Sequence, residues 1–214
     1  MLISKFWNGG HLDHWIQVLR IDGTRPMLMD FVDIAGTTKL FIEHIMHIIN
    51  GLLVTLSYLH DFNILHNDIH SRNILLHFGR EVYVGLADWG RATKLPTTDH
   101  FLSMIDNDDE ATKNEFKRKY KHVAPKCICT TPPPYSKAQD VYSVSYQVQR
   151  LVYCIPCGSR KDTFVDHVLR WAKAGLSSQP SNCPSAFDLS TATHGANPYG
   201  FDIVRISGLR PNNE

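Results

Sequence analysis

The chain has 214 residues, a 43% hydrophobic composition and a formal net charge of +1 at pH 7, which together predict one domain with a substantial core. The near-neutral charge disfavours a dedicated nucleic-acid or membrane-surface protein, because such partners require a concentrated basic field. The longest apolar stretch, Leu40 to Leu59, is interrupted by charged and polar side chains, so we expect no membrane span.

The first third of the chain predicts a β-hairpin followed by helices. Trp15 to Leu19 and Met27 to Val32 have the composition of two strands, with a turn at Asp22-Gly23-Thr24 between them. From Thr37 to His60 the apolar residues recur at steps of three and four. That period predicts buried helices, one short and one long.

The central stretch contains two polar clusters that flank a second predicted hairpin. His66, Asp68 and Asn73 precede Ile74-Leu75-Leu76, and Val82 to Leu86 precedes Asp88. The two apolar runs read as short strands joined by a turn at Phe78-Gly79-Arg80. A hairpin with Asp68 and Asn73 at its start and Asp88 at its end directs oxygen-bearing side chains into one cleft. Carboxylate and amide oxygens suit Mg²⁺. This ion is usually held by only a few protein ligands, together with the phosphates of the substrate.

The last hundred residues predict a polar segment followed by helices. Arg91 to Lys121 carries an acidic run before a basic one, a pattern we interpret as a solvated, mobile loop. A helix is expected to run through Leu151 and Val152, and Asp162 to Ala174 has the apolar periodicity of another. The residues after Leu189 become small and polar, which predicts a C-terminal tail.

The order and spacing of these motifs resemble the eukaryotic protein kinases. His66-x-Asp68-x-x-x-x-Asn73 followed by Asp88-Trp89-Gly90 is similar to their catalytic loop and metal-binding triplet. Ala124-Pro125 resembles the end of their activation segment, and the stretch from Tyr135 to Ser143 resembles the lead-in to their central helix. The resemblance implies that Asp140 holds the backbone of the catalytic loop by hydrogen bonds.

The resemblance also implies ATP and Mg²⁺ as cofactors and assigns a role to each site residue. Asp68 would accept the proton of an attacking hydroxyl, while Asn73 and Asp88 would hold the metal against the nucleotide phosphates. His70 and Arg72 occupy positions where the family places groups that act on the transferred phosphate. His66 is expected to be structural, packing beneath the metal-binding triplet. The predicted nucleotide-binding residues are the hinge at Asp30, Phe31 and Val32 and the floor of the adenine pocket at Leu75.

Several positions depart from the kinase pattern. Asn67 replaces the arginine that ties an activation-segment phosphate to the catalytic loop. Lys126 and Cys183 replace a glutamate and an arginine that form a buried ion pair in the family, which predicts a looser activation segment. No glycine-rich loop, strand lysine or helix glutamate precedes Asp30, so we expect an N-terminally truncated domain with weak or absent activity.

The predicted fold is α+β and mostly α, a protein-kinase-like large lobe with a remnant of the small-lobe β-sheet. Residues 1–29 are assigned to the small-lobe remnant, 30–36 to the hinge, 37–190 to the large lobe and 191–214 to a tail.

A protein substrate or partner protein and a cytoplasmic or nucleocytoplasmic location are expected, with no signal peptide. Two alternatives stay open. One is a pseudokinase acting as a binding or scaffold module. The other is a small-molecule phosphotransferase, because His66-x-Asp68-x-His70 with Asp88-Trp89 resembles aminoglycoside and choline kinases.

Overall fold

A computed structural model describes residues 8–21, 34–78, 82–99, 105, 109–129, 131–154, 163–177 and 182–195 of the chain. The described part is mostly helical and contains two small two-stranded sheets, which confirms the predicted α+β class. Its helices are α1 (Leu12–Ile21), α2 (Ile34–Asp61), α3 (Glu110–Lys119), α4 (Lys137–Val152), α5 (Thr163–Gly175) and α6 (Ala186–Gly195). Its strands are β1 (Ile64–Leu65), β2 (Ile74–Phe78), β3 (Val82–Leu86) and β4 (Thr93–Lys94).

The strand predicted from Trp15 to Leu19 is wrong, because these residues belong to helix α1. Leu12, Trp15 and Ile16 are all buried, and their spacing of three and four places them on one face of a helix. A strand would put Trp15 and Ile16 on opposite faces of a sheet. The second predicted strand, Met27 to Val32, and the turn before it lie outside the described residues.

Helix α2 is continuous over 28 residues, where the sequence predicted a short and a long helix. Gly51 lies within it, and a Cβ there would come within 2.8 Å of the Val84 side chain on β3. The glycine therefore permits close approach of the hairpin to the helix, and it does not interrupt the helix. No helix in the described part of the chain is long and apolar enough to cross a lipid bilayer.

The predicted hairpin is confirmed, with β2 and β3 antiparallel and Ile74 opposite Leu86. Of its predicted turn, Gly79 and Arg80 lie outside the described residues. A short N-terminal segment borders the other edge of β2. The Gly9 N–H donates to the Leu76 carbonyl at 3.0 Å, and the Leu76 N–H donates to the Gly10 carbonyl at 2.8 Å. Strands β1 and β4 form the second sheet beside it.

The predicted helices at α4 and α5 are confirmed, and α4 packs against both α2 and α5. At the start of α4 the Ser136 N–H donates to Gln139 Oε1 at 3.1 Å, which satisfies one amide group that the first turn leaves unpaired. Both α4 and α6 pack against α2, and α5 packs against α4. The apolar interior draws on all of these helices.

The segment predicted as a solvated loop, Arg91 to Lys121, contains helix α3. Its charge runs stabilise a helix instead of a loop. The Asp109 side chain accepts the Thr112 N–H at 2.8 Å as an N-terminal cap. The acidic Glu110 lies in the first turn and the basic Lys117, Arg118 and Lys119 lie in the last, the order that the helix dipole favours.

Candidate active site

Asp140 fixes the loop that carries the predicted catalytic residues. Its side chain is almost fully buried and accepts the His66 N–H at Oδ2 and the Asn67 N–H at Oδ1, each at 2.8 Å. His60 Nε2 lies 3.4 Å from Oδ2 and donates to it. The contact that the kinase resemblance implied for Asp140 is therefore present, and it joins the loop to the central helix.

Asn67 connects this loop to the segment after β3 by a different route from the family's arginine. Its backbone is left-handed, with φ of 61°, a conformation that asparagine tolerates better than most residues. Its side-chain amide donates to the Arg91 carbonyl at 2.9 Å. The residue is buried and neutral, so it supplies no positive charge for a phosphate on the activation segment.

His66 is a structural residue beneath the Asp88-Trp89-Gly90 triplet. It is fully buried, and its Nε2 donates to the Ala87 carbonyl at 3.0 Å. Its ring packs against the Trp89 ring with centroids 4.7 Å apart. Both contacts support the residue before and the residue after Asp88, so His66 helps to set the position of that carboxylate.

The structure brings Asp68, Asn73 and Asp88 to the same end of the β2–β3 hairpin. The Asn73 amide donates to the Asp68 carbonyl at 3.0 Å, and the Asn73 carbonyl accepts the Ala87 N–H at 2.8 Å. Asp88 follows directly in a left-handed conformation with φ of 61°, and its side chain is exposed. The bond to Asp68 engages Nδ2 of Asn73, so Oδ1 is the other polar atom of this mostly buried side chain.

Two histidines lie beside Asp68. His70 Nδ1 accepts the Arg72 N–H at 3.3 Å, so its Nε2 carries the proton and lies 3.9 Å from Asp68 Oδ1. The His70 ring meets the His122 ring edge to face at 5.3 Å. Burial lowers the pKa of His70 although Asp68 opposes the shift. Burial, reinforced by His70, lowers the pKa of His122 to about 4. Both rings are therefore neutral at pH 7.

Of the predicted nucleotide-binding residues, only Leu75 lies in the described structure. It is half-buried in the middle of β2, opposite Gly85 on one side and His11 on the other. Asp30, Phe31 and Val32 lie outside the described residues.

The sequence reasoning missed that the segment from Asn8 to His11 borders this strand. A Cβ at Gly9 would come within 2.6 Å of the Phe78 ring, and Gly10 has φ of +64°. The Gly9-Gly10 pair was the available signal, because each position favours glycine for a specific reason.

A second missed feature is an ion pair that joins α1 and α4 to the catalytic loop. Asp13 Oδ1 accepts the Ser71 hydroxyl at 2.7 Å and the Arg150 guanidinium at 3.2 Å. Arg150 also donates to Ser71 Oγ at 2.9 Å. Burial acts to raise the pKa of the Asp13 carboxyl, but these hydrogen bonds and the charge of Arg150 outweigh burial and lower the pKa. Ser71 lies next to Arg72, so the network supports the middle of the loop.

The end of the activation segment is held without the family's buried ion pair. The Cys183 thiol donates to the Gly175 carbonyl at 3.4 Å, and burial raises its pKa to about 11 although the charge of Lys126 opposes the shift. Two hydrogen bonds from α4 hold the end of the activation segment instead. Ser143 Oγ donates to the His122 carbonyl at 2.7 Å, and the Gln139 amide contacts Cys127 Sγ at 3.4 Å.

The helical core, the anchored loop and the oxygen-bearing end of the hairpin are features of the phosphotransferases that use a catalytic loop and a metal-binding triplet. Residues 2–181 of the chain match the family model of the protein kinase domain. The chain belongs to the protein kinase domain family. No curated protein matches it. Family membership implies a protein substrate or a protein partner.

Proposed function

We propose that this chain is a protein-kinase-like domain that binds Mg²⁺ and ATP and transfers phosphate to a protein hydroxyl at a low rate. The observation that carries the proposal is the convergence of Asp68, Asn73 and Asp88 at one end of the hairpin, on a loop that the buried Asp140 anchors. Phosphoryl transfer depends mainly on positioning and charge neutralisation, and a loop fixed at several points supplies the positioning.

The donor set at the hairpin end fits Mg²⁺. Asn73 Oδ1 and the exposed Asp88 carboxylate would hold the ion, a small protein ligand set that Mg²⁺ commonly completes with phosphate oxygens and water. The described residues include no group of three or more histidine, cysteine, aspartate or glutamate side chains arranged for a metal. When bound, the ion would neutralise the charge on the phosphate groups.

Asp68 is the proposed general base. Its carboxylate is about one quarter exposed, and its backbone carbonyl is fixed by the Asn73 amide. The neutral His70 directs its Nε2–H towards the same carboxylate, with Nε2 3.9 Å from Asp68 Oδ1. Arg72 is exposed on the same loop, and we propose that its charge acts on the transferred phosphate.

Leu75 is proposed as the floor of the nucleotide-base pocket. It lies on β2 two residues after Asn73, and the backbone of the Asn8–His11 segment runs alongside it. A base stacked on Leu75 would extend its phosphates towards the Asn73 end of the strand. The assignment of Asp30, Phe31 and Val32 to the same pocket stays a prediction.

A low rate is proposed because the site differs from the family pattern in its charges. Asn67 contributes a neutral amide where the family has an arginine, and His70 is neutral where many members have a lysine. Loss of one pre-positioned donor in an enzyme site costs on the order of a hundredfold in rate.

The test combines nucleotide binding with phosphate transfer. In a thermal-shift titration, Mg²⁺-ATP is expected to raise the melting temperature of the wild-type chain and of the matched Asp99→Asn variant. It is expected to leave the melting temperature of Asp88→Asn unchanged. Incubation with radiolabelled ATP and casein is expected to give slow labelling that Asp68→Ala abolishes. Labelling that survives Asp68→Ala would refute the assignment of the base. Binding without any labelling would favour the pseudokinase alternative, and labelling of choline or an aminoglycoside instead of casein would favour the small-molecule alternative.

A further inference from the structure

A cavity of about 250 Å³ lies away from the catalytic loop, between α3, the end of the activation segment, α4 and the residue that follows α5. None of Asp68, Asn73 and Asp88 lines it, so it is distinct from the site described above. Its lining residues are Lys117, Lys121, Val123, Pro125, Ile128, Tyr142, Tyr146, Gln149 and Leu176.

The charged side chains in this lining are lysines, and no carboxylate is among them. Lys121 is exposed and makes no ion pair within the described part of the chain. Lys117 Nζ lies 3.8 Å from Glu110 Oε1, but that carboxylate is 72% exposed and lies outside the cavity. An exposed pair of this kind contributes little free energy, so Lys117 can exchange it for a ligand.

The remaining lining combines an apolar floor with neutral hydrogen-bond donors. Ile128 is buried, and Val123, Pro125 and Leu176 are half-buried beside it. Burial, and then the neighbouring Tyr146, raise the pKa of Tyr142, so its hydroxyl stays protonated. Two phenols and the Gln149 amide therefore surround the lysines with groups that can donate to an anion.

We infer that this cavity binds an acidic segment of a partner protein, with an Asp or Glu carboxylate at Lys117 and Lys121 and an adjacent apolar side chain against the Ile128 floor. Its volume lies just below the range of small-molecule sites, about 300 to 1,000 Å³, and suits one or two peptide side chains. The charge complementarity selects an acidic segment over a basic or neutral one. The inference does not depend on whether the domain transfers phosphate.

The test uses the whole chain and a fluorescein-labelled peptide of sequence Glu-Asp-Leu-Glu-Glu-Phe, followed by fluorescence anisotropy. Binding with a Kd of about 100 µM or tighter is expected at low salt, weakening as salt screens the lysines. The matched peptide Gln-Asn-Leu-Gln-Gln-Phe is expected to bind at least tenfold more weakly. Lys121→Glu is expected to raise the Kd at least tenfold, and Tyr146→Ala severalfold.

Arg118→Glu is the matched control, because Arg118 is exposed on α3 next to the cavity-lining Lys117 but does not itself line the cavity. It is expected to change the Kd by less than about twofold. An equal loss in Arg118→Glu and Lys121→Glu would show nonspecific attraction and overturn the inference, as would equal binding of the acidic and amide peptides. Full competition by 10 mM inorganic phosphate, with no contribution from the Leu and Phe of the peptide, would show an anion site and no peptide site. An unchanged melting temperature and Mg²⁺-ATP response in Lys121→Glu would separate lost docking from lost folding.

Discussion

Replacing Asp140 with asparagine is predicted to destabilise the domain and to loosen the catalytic loop. The Asp140 carboxylate is 1% exposed and accepts two backbone N–H groups at 2.8 Å, with His60 as a third donor. Asparagine keeps one acceptor oxygen but places an NH₂ group where the second oxygen stood. One buried N–H, from His66 or Asn67, is then opposed by another donor.

The magnitude follows from the bonds that change. A hydrogen bond to a charged group contributes about 1.5 to 3 kcal/mol, and an unsatisfied buried donor costs about 1 to 3 kcal/mol. We therefore expect Asp140→Asn to lower the free energy of unfolding by about 3 kcal/mol. Domains of this size have a total of about 5 to 15 kcal/mol, so the variant should remain folded and measurable.

The assay is urea unfolding followed by tryptophan fluorescence, with Asp99→Asn as the control. Asp99 is exposed, so the same chemical change there should alter the free energy of unfolding by less than about 0.5 kcal/mol. A loss below 1 kcal/mol in Asp140→Asn would rule out Asp140 as the main anchor of the loop, because it would mean that the loop is held by its contacts to Ala87 and within itself.

Three further predictions test other parts of the structure. His122 has a folded-state pKa of about 4 against an ordinary value of 6.5, so the unfolded chain binds the proton first. The free energy of unfolding should therefore fall by about 2 kcal/mol as the pH is lowered from 7.5 to 5. In urea melts, His122→Gln should make the free energy of unfolding less dependent on pH over this range. Gly175→Ala should cost about 2 kcal/mol or more in thermal unfolding, because the new Cβ collides with Ser145 Oγ, whereas Gly90→Ala, which meets only ordinary contacts, should change little. A double-mutant cycle of Asp13→Asn and Arg150→Gln should give a coupling energy of about 1 kcal/mol, and strict additivity would contradict the ion pair.

The sequence predicted the parts of the fold where local pattern and tertiary burial agree. The hairpin at β2 and β3 and the helices α4 and α5 carry a single clear period, and motif order placed Asp140 beneath the catalytic loop. The convergence of Asp68, Asn73 and Asp88 followed from the same order, because a hairpin returns its two ends to one place.

The remaining features depend on contacts that no local pattern contains. The composition of Trp15 to Leu19 favours a strand, whereas the spacing of Leu12, Trp15 and Ile16 favours a helix. Packing of these three residues against the core stabilises the helix. The charge runs around α3 predict a solvated loop, although their order from acidic to basic also matches a helix dipole. The Asp13–Arg150 pair joins residues 137 positions apart, a separation at which sequence periodicity carries no information.

Binding of Mn²⁺, a paramagnetic substitute for Mg²⁺, is the sharpest test of the proposed metal–nucleotide site at the end of the hairpin. The enhancement of water-proton relaxation by Mn²⁺ with a non-hydrolysable ATP analogue would be measured for the wild type, Asn73→Ala, Asp88→Asn and the Asp99→Asn control. We predict nucleotide-dependent enhancement in the wild type and the control, and a loss of at least tenfold in apparent affinity in the other two variants. Equal enhancement in all four proteins would contradict the claim that the end of the hairpin forms the metal–nucleotide site.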